Sequence, residues 1–514
     1  MKLRYLTQSV FACSFAIAVG ANAYTYNATI NFEKIWTTAH TFDSEINAVA
    51  GNKLYVTNPN GSLAVLNKTT GNLLETINLG GAPNSVAAYG STIAVAVEGA
   101  SRQDNGYVEF YDVSGPSAVP TATVTVGALP DMLTFTPDGS KVIIANEGEP
   151  NSNYTVDPEG TVGIIDVSTL SYTSVDFSNV TPDASTRIFG PNASVAQDLE
   201  PEYIAINSSG TKAYVTLQEN NAIGIIDINS GTVVDVVGLG FKDHSTLGNQ
   251  FDASNRDDLE GNLQNWPTFG MYQPDAIDSF QVNGEDYFVI VNEGDARDYD
   301  GYSEETRMDD LNPTSELEAS LVANLGPDWQ DDENLGRLKT TTSNEDNNGE
   351  VAQLFSYGAR SFSILDVDGE MVFDSGSMIE EITLALGNWE DGRSDDKGPE
   401  PESVVAFELG GKDYIVIGNE RTSDLMFFEV SDVENPILAQ IISTVNLYPG
   451  YEAGASPEGL SVEILSDTEA VLYVSNEWQT ATSAYALTAV PVPAAAWLFA
   501  SALAGLIARK KLDN

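Results

Sequence analysis

One hairpin pattern returns seven times along this chain of 514 residues, and it constrains the fold more than any other feature. Each unit has a strand-like run, a turn rich in Gly, Asn or Asp, and a second run, as in "LPDMLTFTPDGSKVIIANEG" at 129–148. A third run follows in most units, for example "TVGIIDV" from 161 and "AIGIIDI" from 222. Alternating β-branched and aromatic residues between turn residues predict strands, and the repeating part has no long helical periodicity. The sequence therefore predicts an all-β fold.

The repeats also predict the architecture. Units of three or four strands that recur at roughly 40–50 residues are typical of β-propellers. Seven units predict a seven-bladed β-propeller over residues 24–489, although the irregular spacing leaves six or eight blades open. The last unit ends after its third strand, "SAYALTA" from 483, whereas "YTYNATINFEKIW" at 24–36 belongs to no hairpin. We expect this N-terminal strand to close the last blade, so that no long sheet edge is exposed.

Two long acidic loop insertions interrupt the repeats, at about residues 294–350 and 377–399. The first follows the closing acid of the fifth unit, and the second leads into the first corner of the sixth unit. Loops of this length are usually either functional or disordered. We expect both to grow from one face of the propeller and to form a lid or a wall there.

Acidic residues bracket the hairpins. An acid follows a proline at the first corner of five units and a second acid closes the hairpin in six, while the second unit has Asn84 and Glu98 in these places. Positions equidistant from a turn are neighbours across a strand pair, so each bracket is one corner of a blade. Such corners meet around the axis of a propeller, which predicts an acidic mouth on one face. The candidate rim residues are Asp131, Glu147, Glu202, Glu219, Asp275, Glu293, Glu402, Glu420, Glu458 and Glu477.

Carboxylates gathered in this way cannot all stay ionised unaided, so they raise one another's pKa or recruit cations. Hard oxygen ligands suit Ca²⁺, which is the cofactor that we expect. Pro, Asp and Asn are also ordinary turn residues, so a purely structural role for the corners stays open. The sequence identifies no catalytic residue. The candidate metal ligands are Asp131, Glu147, Asp275, Glu293, Glu402 and Glu420, and the candidate anion-binding residues are Arg297, Arg393 and Arg421.

Composition excludes several functions. A formal net charge of -52 repels phosphate backbones, so no nucleic-acid partner is expected; the same charge also keeps a protein soluble. Two histidines cannot build a multi-histidine zinc site. The one cysteine, Cys13, lies in the N-terminal segment, which leaves the body of the protein without a disulfide or a thiol nucleophile.

Both ends of the chain are typical of targeting segments. Residues 1–23 carry two basic residues, an apolar run and "ANA" before Tyr24, which predicts a signal peptide. Residues 490–514 contain "PVP", an apolar run and "RKK", and this tail resembles the PEP-CTERM sorting signal, with "PVP" in place of the usual Pro-Glu-Pro. The resemblance implies an exosortase-type processing enzyme as a partner; a plain membrane anchor is the alternative. Both predict membrane contact only through the tail, and a location at the cell surface, outer membrane or extracellular matrix of a Gram-negative bacterium.

Several motifs together resemble the choice-of-anchor I domain. They include "LPDMLTFTPDGSKVIIANEG", "DLEPEYIAIN", "YQPDAIDSF", "VNEGDARDY" and "RSDDKGPEPE", and the resemblance covers roughly residues 40–488. The family is similar to sequences called mesenchyme-specific cell-surface glycoprotein. The resemblance implies an exported bacterial propeller carried on a C-terminal anchor, and no particular activity. A fainter similarity to phytase-like and esterase-like propellers implies an acidic, Ca²⁺-laden face.

Two functions follow from these features. The first is a surface-anchored propeller whose Ca²⁺-binding funnel holds a small-molecule ligand or an extracellular polymer without turnover. The second is a metal-dependent phosphoesterase, similar to phytases, that uses metal-bound water in the same carboxylate rim. The long insertions favour catalysis, whereas the lack of a compact nucleophile-base pair in the sequence favours binding. Whether the protein is an enzyme stays open at this point.

Overall fold

The computed structural model describes residues 14–19, 22–444 and 455–490. The repeat units form seven antiparallel sheets, numbered here in chain order. The strands of sheets 1 to 4 are, in order, Asn47–Ala50, Lys53–Asn58, Ser62–Asn67 and Leu73–Asn78; Pro83–Tyr89, Thr92–Val97, Asn105–Asp112 and Val119–Ala128; Pro130–Phe135, Lys141–Asn146, Thr161–Asp166 and Tyr172–Asp176; Ile204–Ile206, Lys212–Leu217, Ala222–Asp227 and Thr232–Gly238.

The remaining three sheets follow the same plan, with strands from the N-terminal part of the chain added to sheets 6 and 7. The added strand Asn22–Asn27 pairs parallel with Ile437–Ser443 in sheet 6. Sheet 5 consists of Ile277–Val282, Glu285–Asn292, Ser361–Leu365 and Met371–Asp374; sheet 6 of Pro401–Leu409, Lys412–Asn419, Asp424–Glu429, Ile437–Ser443, Asn22–Asn27 and Ser14–Val19; and sheet 7 of Pro457–Ser466, Glu469–Asn476, Ala481–Ala489 and Ile30–Ala39. The predicted all-β fold is therefore confirmed.

Local chemistry explains the hairpins. In sheet 3, the turn places Gly139 at φ 70°, and the side chain of Asp138 accepts hydrogen bonds from the Ser140 N–H at 3.0 Å and the Thr136 hydroxyl at 2.7 Å. At the end of the third strand, Asp166 Oδ1 accepts from the backbone N–H of Thr169 at 2.9 Å. The acid that recurs at the end of the third strand, here Asp166, thus stabilises the turn that follows the strand. It belongs to the scaffold.

The core lies between the sheets. A hydrophobic cluster separates each sheet from the next one along the chain, and a further cluster joins sheet 7 to sheet 1. In that last cluster, Leu54 and Val56 of sheet 1 pack with Val471 and Tyr473 of sheet 7. The first strands of neighbouring sheets also pack against one another in the same order. Each sheet therefore shares a hydrophobic cluster with two other sheets.

The N-terminal strand that was predicted to join the last unit is present, at Ile30–Ala39 rather than at 24–36. It pairs antiparallel with Ala481–Ala489, from Ile30 opposite Ala489 to Ala39 opposite Ala481. Of the predicted signal peptide, the structure describes only residues 14–19, 22 and 23. The tail from residue 491 lies outside the described residues, so the roles of both segments stay predictions. No helix in the described part of the chain is both long and apolar enough to cross a membrane.

The insertions fold together beside the sheets. Both predicted insertions contain local structure, and a third, between Gly238 and Ile277, was not predicted. Phe251 and Trp266 from the third insertion pack with Met308, Leu321 and Trp329 from the first. The elements here and in the loop before sheet 4 are helices Val195–Asp198, Ser315–Leu325 and Met378–Leu386, 3-10 turns Met308–Asp310 and Asp391–Arg393, and strands Phe241–Asp243, Phe269–Met271, Asp298–Tyr299, Tyr302–Ser303, Glu305–Arg307, Lys339–Thr341 and Phe355–Ser356.

Candidate functional site

The first corner of a hairpin is a β-bulge in four sheets. In each of them the corner proline pairs with the residue before the closing position, as Pro130 pairs with Asn146, and the register then shifts. A bulge breaks the alternation of side chains and re-aims the extra residue, and bulges are common next to functional sites. The residues that fall within these shifts include Asn84, Asp131, Glu402 and Glu458.

The residue before the corner proline is held in a left-handed conformation in four sheets. The φ angles are 47° at Leu129, 47° at Gln273, 54° at Glu400 and 52° at Ser456. A non-glycine residue there costs on the order of 1–3 kcal/mol and persists only where its surroundings fix it. The closing acid supplies part of that fixation, since the backbone N–H of Glu420 donates to the carbonyl of Glu400 at 2.8 Å. The backbone at the repeated corner is thus strained, and a hydrogen bond from the closing residue helps to hold it in place.

An asparagine precedes the closing glutamate in sheets 3, 5, 6 and 7. Its amide is bonded within the sheet: Asn292 Nδ2 donates to Ser363 Oγ at 2.9 Å, and Asn419 Nδ2 donates to Asp424 Oδ1 at 2.7 Å. Because successive side chains of a strand point to opposite sides, a fixed asparagine directs the following glutamate the other way. The "NE" pair therefore aims Glu147, Glu293, Glu420 and Glu477.

The predicted rim residues lie close enough to influence one another. A cavity of about 320 Å³ brings several of them together with Arg102 and Tyr203. Its acidic and amide lining consists of Glu45, Asn84, Glu98, Asp131, Asp275, Glu402 and Glu458. The charges of the remaining predicted rim residues act on members of the same set: Glu202 interacts with Glu219 and Glu147, and Glu477 interacts with Glu458.

Three of the six candidate metal ligands form a compact group, which we call the carboxylate trio. One carboxylate oxygen from each of Glu293, Glu402 and Glu420 lies within 4.8 Å of the others. Glu293 and Glu420 are buried, and Glu402 is half-buried. The buried Oε2 of Glu402 has no hydrogen-bond partner among the described residues. The other three candidates, Asp131, Glu147 and Asp275, are not members of this group.

Burial and mutual repulsion raise the pKa values of these acids. Burial is the larger cause and the neighbouring carboxylates add to it, so the pKa of Glu420 rises to about 9 and that of Glu458 to about 8. The same causes raise the pKa of Asp131 to about 7, and that of Glu402 well above its usual range. Without a bound cation, several of these acids therefore hold protons at neutral pH.

Glu400 is the exception, because three cations surround it. Arg393 Nε lies 2.6 Å and Arg421 Nε 3.0 Å from its carboxylate, and Lys397 Nζ lies 3.7 Å away. Burial disfavours the charge of Glu400, but these cations outweigh burial and lower its pKa. Arg421 also pairs with Glu420 at 3.0 Å. The candidate anion-binding residues Arg393 and Arg421 are thus engaged by carboxylates of the protein itself.

Arg297, the third candidate for anion binding, has a different position. Its side chain has no exposed surface, and it pairs with Asp198 at 2.5 Å and with Glu200 at 3.2 Å. The guanidinium also lies 4.6 Å from the centre of the Phe189 ring. Arg297 therefore joins the first insertion to the loop before sheet 4, and it offers no surface to a ligand.

Comparison with known proteins identifies the family. Residues 45–433 match the model of the protein family described as "Choice-of-anchor I domain". The chain belongs to the choice-of-anchor I family. Membership indicates an exported or surface protein. The matched range contains the whole carboxylate trio of this choice-of-anchor I protein, whereas Glu458 and Glu477 lie beyond it.

Two further similarities accompany this match. The protein is 30% identical over 166 residues to "Gigasin-3a" of Magallana gigas, an alignment that covers 29% of this chain and 58% of that relative. The chain thus spans little more than half the length of the curated relative that it matches. The structure of "Kuenenia stuttgartiensis Hydrazine Synthase" aligns with a TM-score of 0.44 and 12% identity, covering 87% of this chain and 96% of that one.

Two residues of the candidate site were missed from the sequence. Glu45 lines the cavity from the first unit, where no proline marks the corner, although it lies two residues before its strand as the acids of sheets 4 and 5 do. Glu400 stands in "GPEPE" directly beside the predicted Glu402, and the sequence does not show that it collects three cations. Only the folded second insertion brings Arg393 and Lys397 to it.

Proposed function

We propose that this choice-of-anchor I protein is an exported, surface-displayed seven-bladed propeller that binds Ca²⁺ in its acidic mouth. The occupied mouth then holds a ligand, either a small molecule or an extracellular polymer. Export through the predicted signal peptide, and processing of the tail by an exosortase-type enzyme, are part of the proposal. The observation that carries it is the carboxylate trio of Glu293, Glu402 and Glu420.

A closed ring of seven blades is supported by the packing of the sheets. Each sheet shares a hydrophobic cluster with the next, and sheet 7 shares one with sheet 1. The pairing of Ile30–Ala39 with Ala481–Ala489 supports it further, because it joins a strand that precedes the first repeat to the last repeat in one sheet. A ring places all first corners around one axis, which is the arrangement that the acidic mouth requires.

Ca²⁺ fits the chemistry of the trio. Calcium takes only oxygen ligands at about 2.3–2.6 Å, so two oxygens on one ion are no more than about 5 Å apart. The 4.8 Å limit within the trio meets this condition. Burial and the repulsion of neighbouring carboxylates raise the pKa of Glu420, and a bound divalent cation opposes both effects. Binding is therefore expected to displace protons from the mouth.

A phosphoesterase that uses the same site is the second candidate, and one observation favours it. Lys397 and Arg421 lie directly beside the trio, at 2.6 Å from Glu293 and 3.0 Å from Glu420, where they could stabilise an anionic substrate. Both cations are already paired with these carboxylates. Binding without turnover is therefore the function that the geometry supports best.

Calcium titration calorimetry on the purified full chain, after EDTA treatment and dialysis, tests the proposal. Glu402→Gln removes one carboxylate of the trio with little change of shape, and we expect it to weaken Ca²⁺ binding at least tenfold. Glu33→Gln is the matched control, because Glu33 is exposed on the outer strand Ile30–Ala39. Equal Ca²⁺ affinity of the Glu402→Gln variant and the wild type would overturn the assignment of the trio.

The second candidate is tested in the same preparations. Turnover of p-nitrophenyl phosphate or bis(p-nitrophenyl) phosphate is measured with Ca²⁺ and with EDTA. Ca²⁺-dependent turnover that disappears in Glu402→Gln but not in Glu33→Gln would favour the hydrolase. Binding of Ca²⁺ without turnover supports the proposal as stated.

A further inference from the structure

A second pocket, outside the acidic mouth, lies where the insertions meet the loop before sheet 4. Its volume is about 250 Å³, and it shares no lining residue with the cavity of the mouth. One side of the pocket is apolar and the other carries hydroxyl and amide groups. We call it the aromatic pocket; its lining residues are Thr186, Arg187, Ile188, Phe189, Phe241, Met271, Thr341, Ser343, Asn344 and Phe355.

The apolar side exposes large hydrophobic surface in a concave place. Phe241 is 39% exposed and Ile188 is 40% exposed. The rings of Phe241 and Phe355 lie 4.8 Å apart at 58°, so they form a tilted wall rather than a filled core. Concave sites with aromatic walls and a few polar groups are typical of small-ligand pockets.

The polar side offers no free charge. No Asp or Glu residue lines the pocket. Arg187 is the one charged residue in the lining, and its guanidinium is occupied: it pairs with Glu304 and donates to the carbonyl of Glu219 at 2.7 Å and to Ser343 Oγ at 2.9 Å. A charged ligand would find no counter-charge here. The strongly negative surface of the protein also repels anionic polymers.

Two buried polar atoms of the pocket lack hydrogen-bond partners. Thr186 Oγ1 and Asn344 Oδ1 have no hydrogen-bond partner among the described residues, and Thr186 is only 9% exposed. Buried polar atoms are nearly always satisfied, so each of these oxygens is left for a partner from elsewhere. Asn344 Oδ1 can only accept a hydrogen bond, whereas the Thr186 hydroxyl can donate or accept. Hydroxyl groups of a ligand are suitable donors.

We propose that the aromatic pocket binds a neutral sugar unit, such as one residue of an uncharged polysaccharide. The C–H face of the ring lies on Phe241 and Phe355, and ring hydroxyls donate to Asn344 Oδ1 and form a hydrogen bond with the Thr186 hydroxyl. A neutral sugar combines an apolar face with several hydroxyl donors and carries no charge, which matches both sides of the pocket. This site is independent of the Ca²⁺ site proposed above.

Calorimetric titration of the purified full chain with cellotriose, laminaritriose, chitotriose and mannotriose tests this inference. We expect at least one of these neutral sugars to bind, and Phe241→Ala to weaken its affinity at least tenfold. The matched control is Phe32→Ala, since Phe32 is 41% exposed on the outer strand Ile30–Ala39. This control is expected to bind as the wild type does.

A second variant separates binding from folding. Thr186→Val replaces the partnerless hydroxyl by a methyl group of similar shape, so the melting temperature is expected to stay unchanged while sugar affinity falls several-fold. The inference is overturned if none of the four sugars binds at millimolar concentration, or if both pocket variants bind as tightly as the wild type. Binding of the neutral apolar dye N-phenyl-1-naphthylamine in this pocket, with no sugar bound, would assign it to an apolar ligand and overturn the inference as well.

Discussion

The ammonium group of Lys397 lies 2.6 Å from a carboxylate oxygen of Glu293. Lys397 comes from the second insertion and Glu293 from the closing corner of sheet 5, so the insertion places a positive charge against the carboxylate trio. Lys397 stays charged, because Glu293, Asp295 and Glu400 outweigh the effect of burial and raise its pKa. A divalent cation that enters the trio meets this charge.

We predict that Lys397→Met strengthens Ca²⁺ binding, by several-fold to tenfold, because it removes a tethered cation that competes for Glu293. The measurement is a calorimetric Ca²⁺ titration at pH 8. Lys339→Met is the matched control, since Lys339 pairs with Glu305 at 2.8 Å and with Asp396 at 3.2 Å, both outside the trio. Weaker Ca²⁺ binding by Lys397→Met would show that Lys397 supports the site instead.

Stability is expected to fall as pH rises when no divalent cation is present. The pKa values of Glu420, about 9, and Glu458, about 8, lie above the value of about 4.3 for an unfolded glutamate. Between about pH 5 and 9 the folded chain thus holds protons that the unfolded chain has lost, so the free energy of unfolding decreases across this window. Urea denaturation at pH 5, 7 and 9 in EDTA measures the decrease, and CaCl₂ is expected to reduce it. A rise of stability with pH in EDTA would contradict the raised pKa values.

Arg297→Met is expected to destabilise the fold by about 3–5 kcal/mol, because it leaves Asp198 and Glu200 buried without their shared cation. Arg102→Met serves as the control. Its side chain is 53% exposed beside Glu149, so a change below about 1 kcal/mol is expected. Urea denaturation in CaCl₂ measures both. Equal effects of the two substitutions would show that the Arg297 network contributes no more than a surface ion pair.

Trp36→Ala is expected to cost about 3–5 kcal/mol of unfolding free energy. Trp36 is buried in the cluster between sheets 7 and 1, and its indole N–H donates to the carbonyl of Lys68 at 3.0 Å. The neighbouring Ile35 is 44% exposed, so Ile35→Ala is the matched control and is expected to change stability by less than about 1 kcal/mol. A loss of similar size in both variants would argue against packing of the first sheet on the last.

The repeated parts of the fold were predictable because their signals are local. The strand "KVIIAN" and the turn at Gly139 form because of residues that are close in sequence. The same pattern in every unit reinforced the interpretation. The insertions gave no such signal. Trp266 packs with Trp329 only through contacts between distant segments, and neither segment repeats, so the third insertion was missed.

The candidate site was predictable in outline and not in detail. Repetition indicated which acids share one face, but it did not distinguish Glu402, which joins the trio, from Asp131, which does not. That difference depends on where the bulges and the insertions place each carboxylate. Arg297 illustrates the same limit, since its position four residues after Glu293 gave no sign that Asp198 and Glu200 would pair with it.

The central claim is that the carboxylate trio holds a divalent cation, and diffraction tests it most directly. Crystals of the protein grown with CaCl₂, measured at a wavelength at which calcium scatters anomalously, are predicted to show one peak at about 2.3–2.6 Å from oxygens of Glu293, Glu402 and Glu420. An anomalous map with no peak at the trio, in crystals whose calcium content is confirmed elsewhere, would contradict the claim.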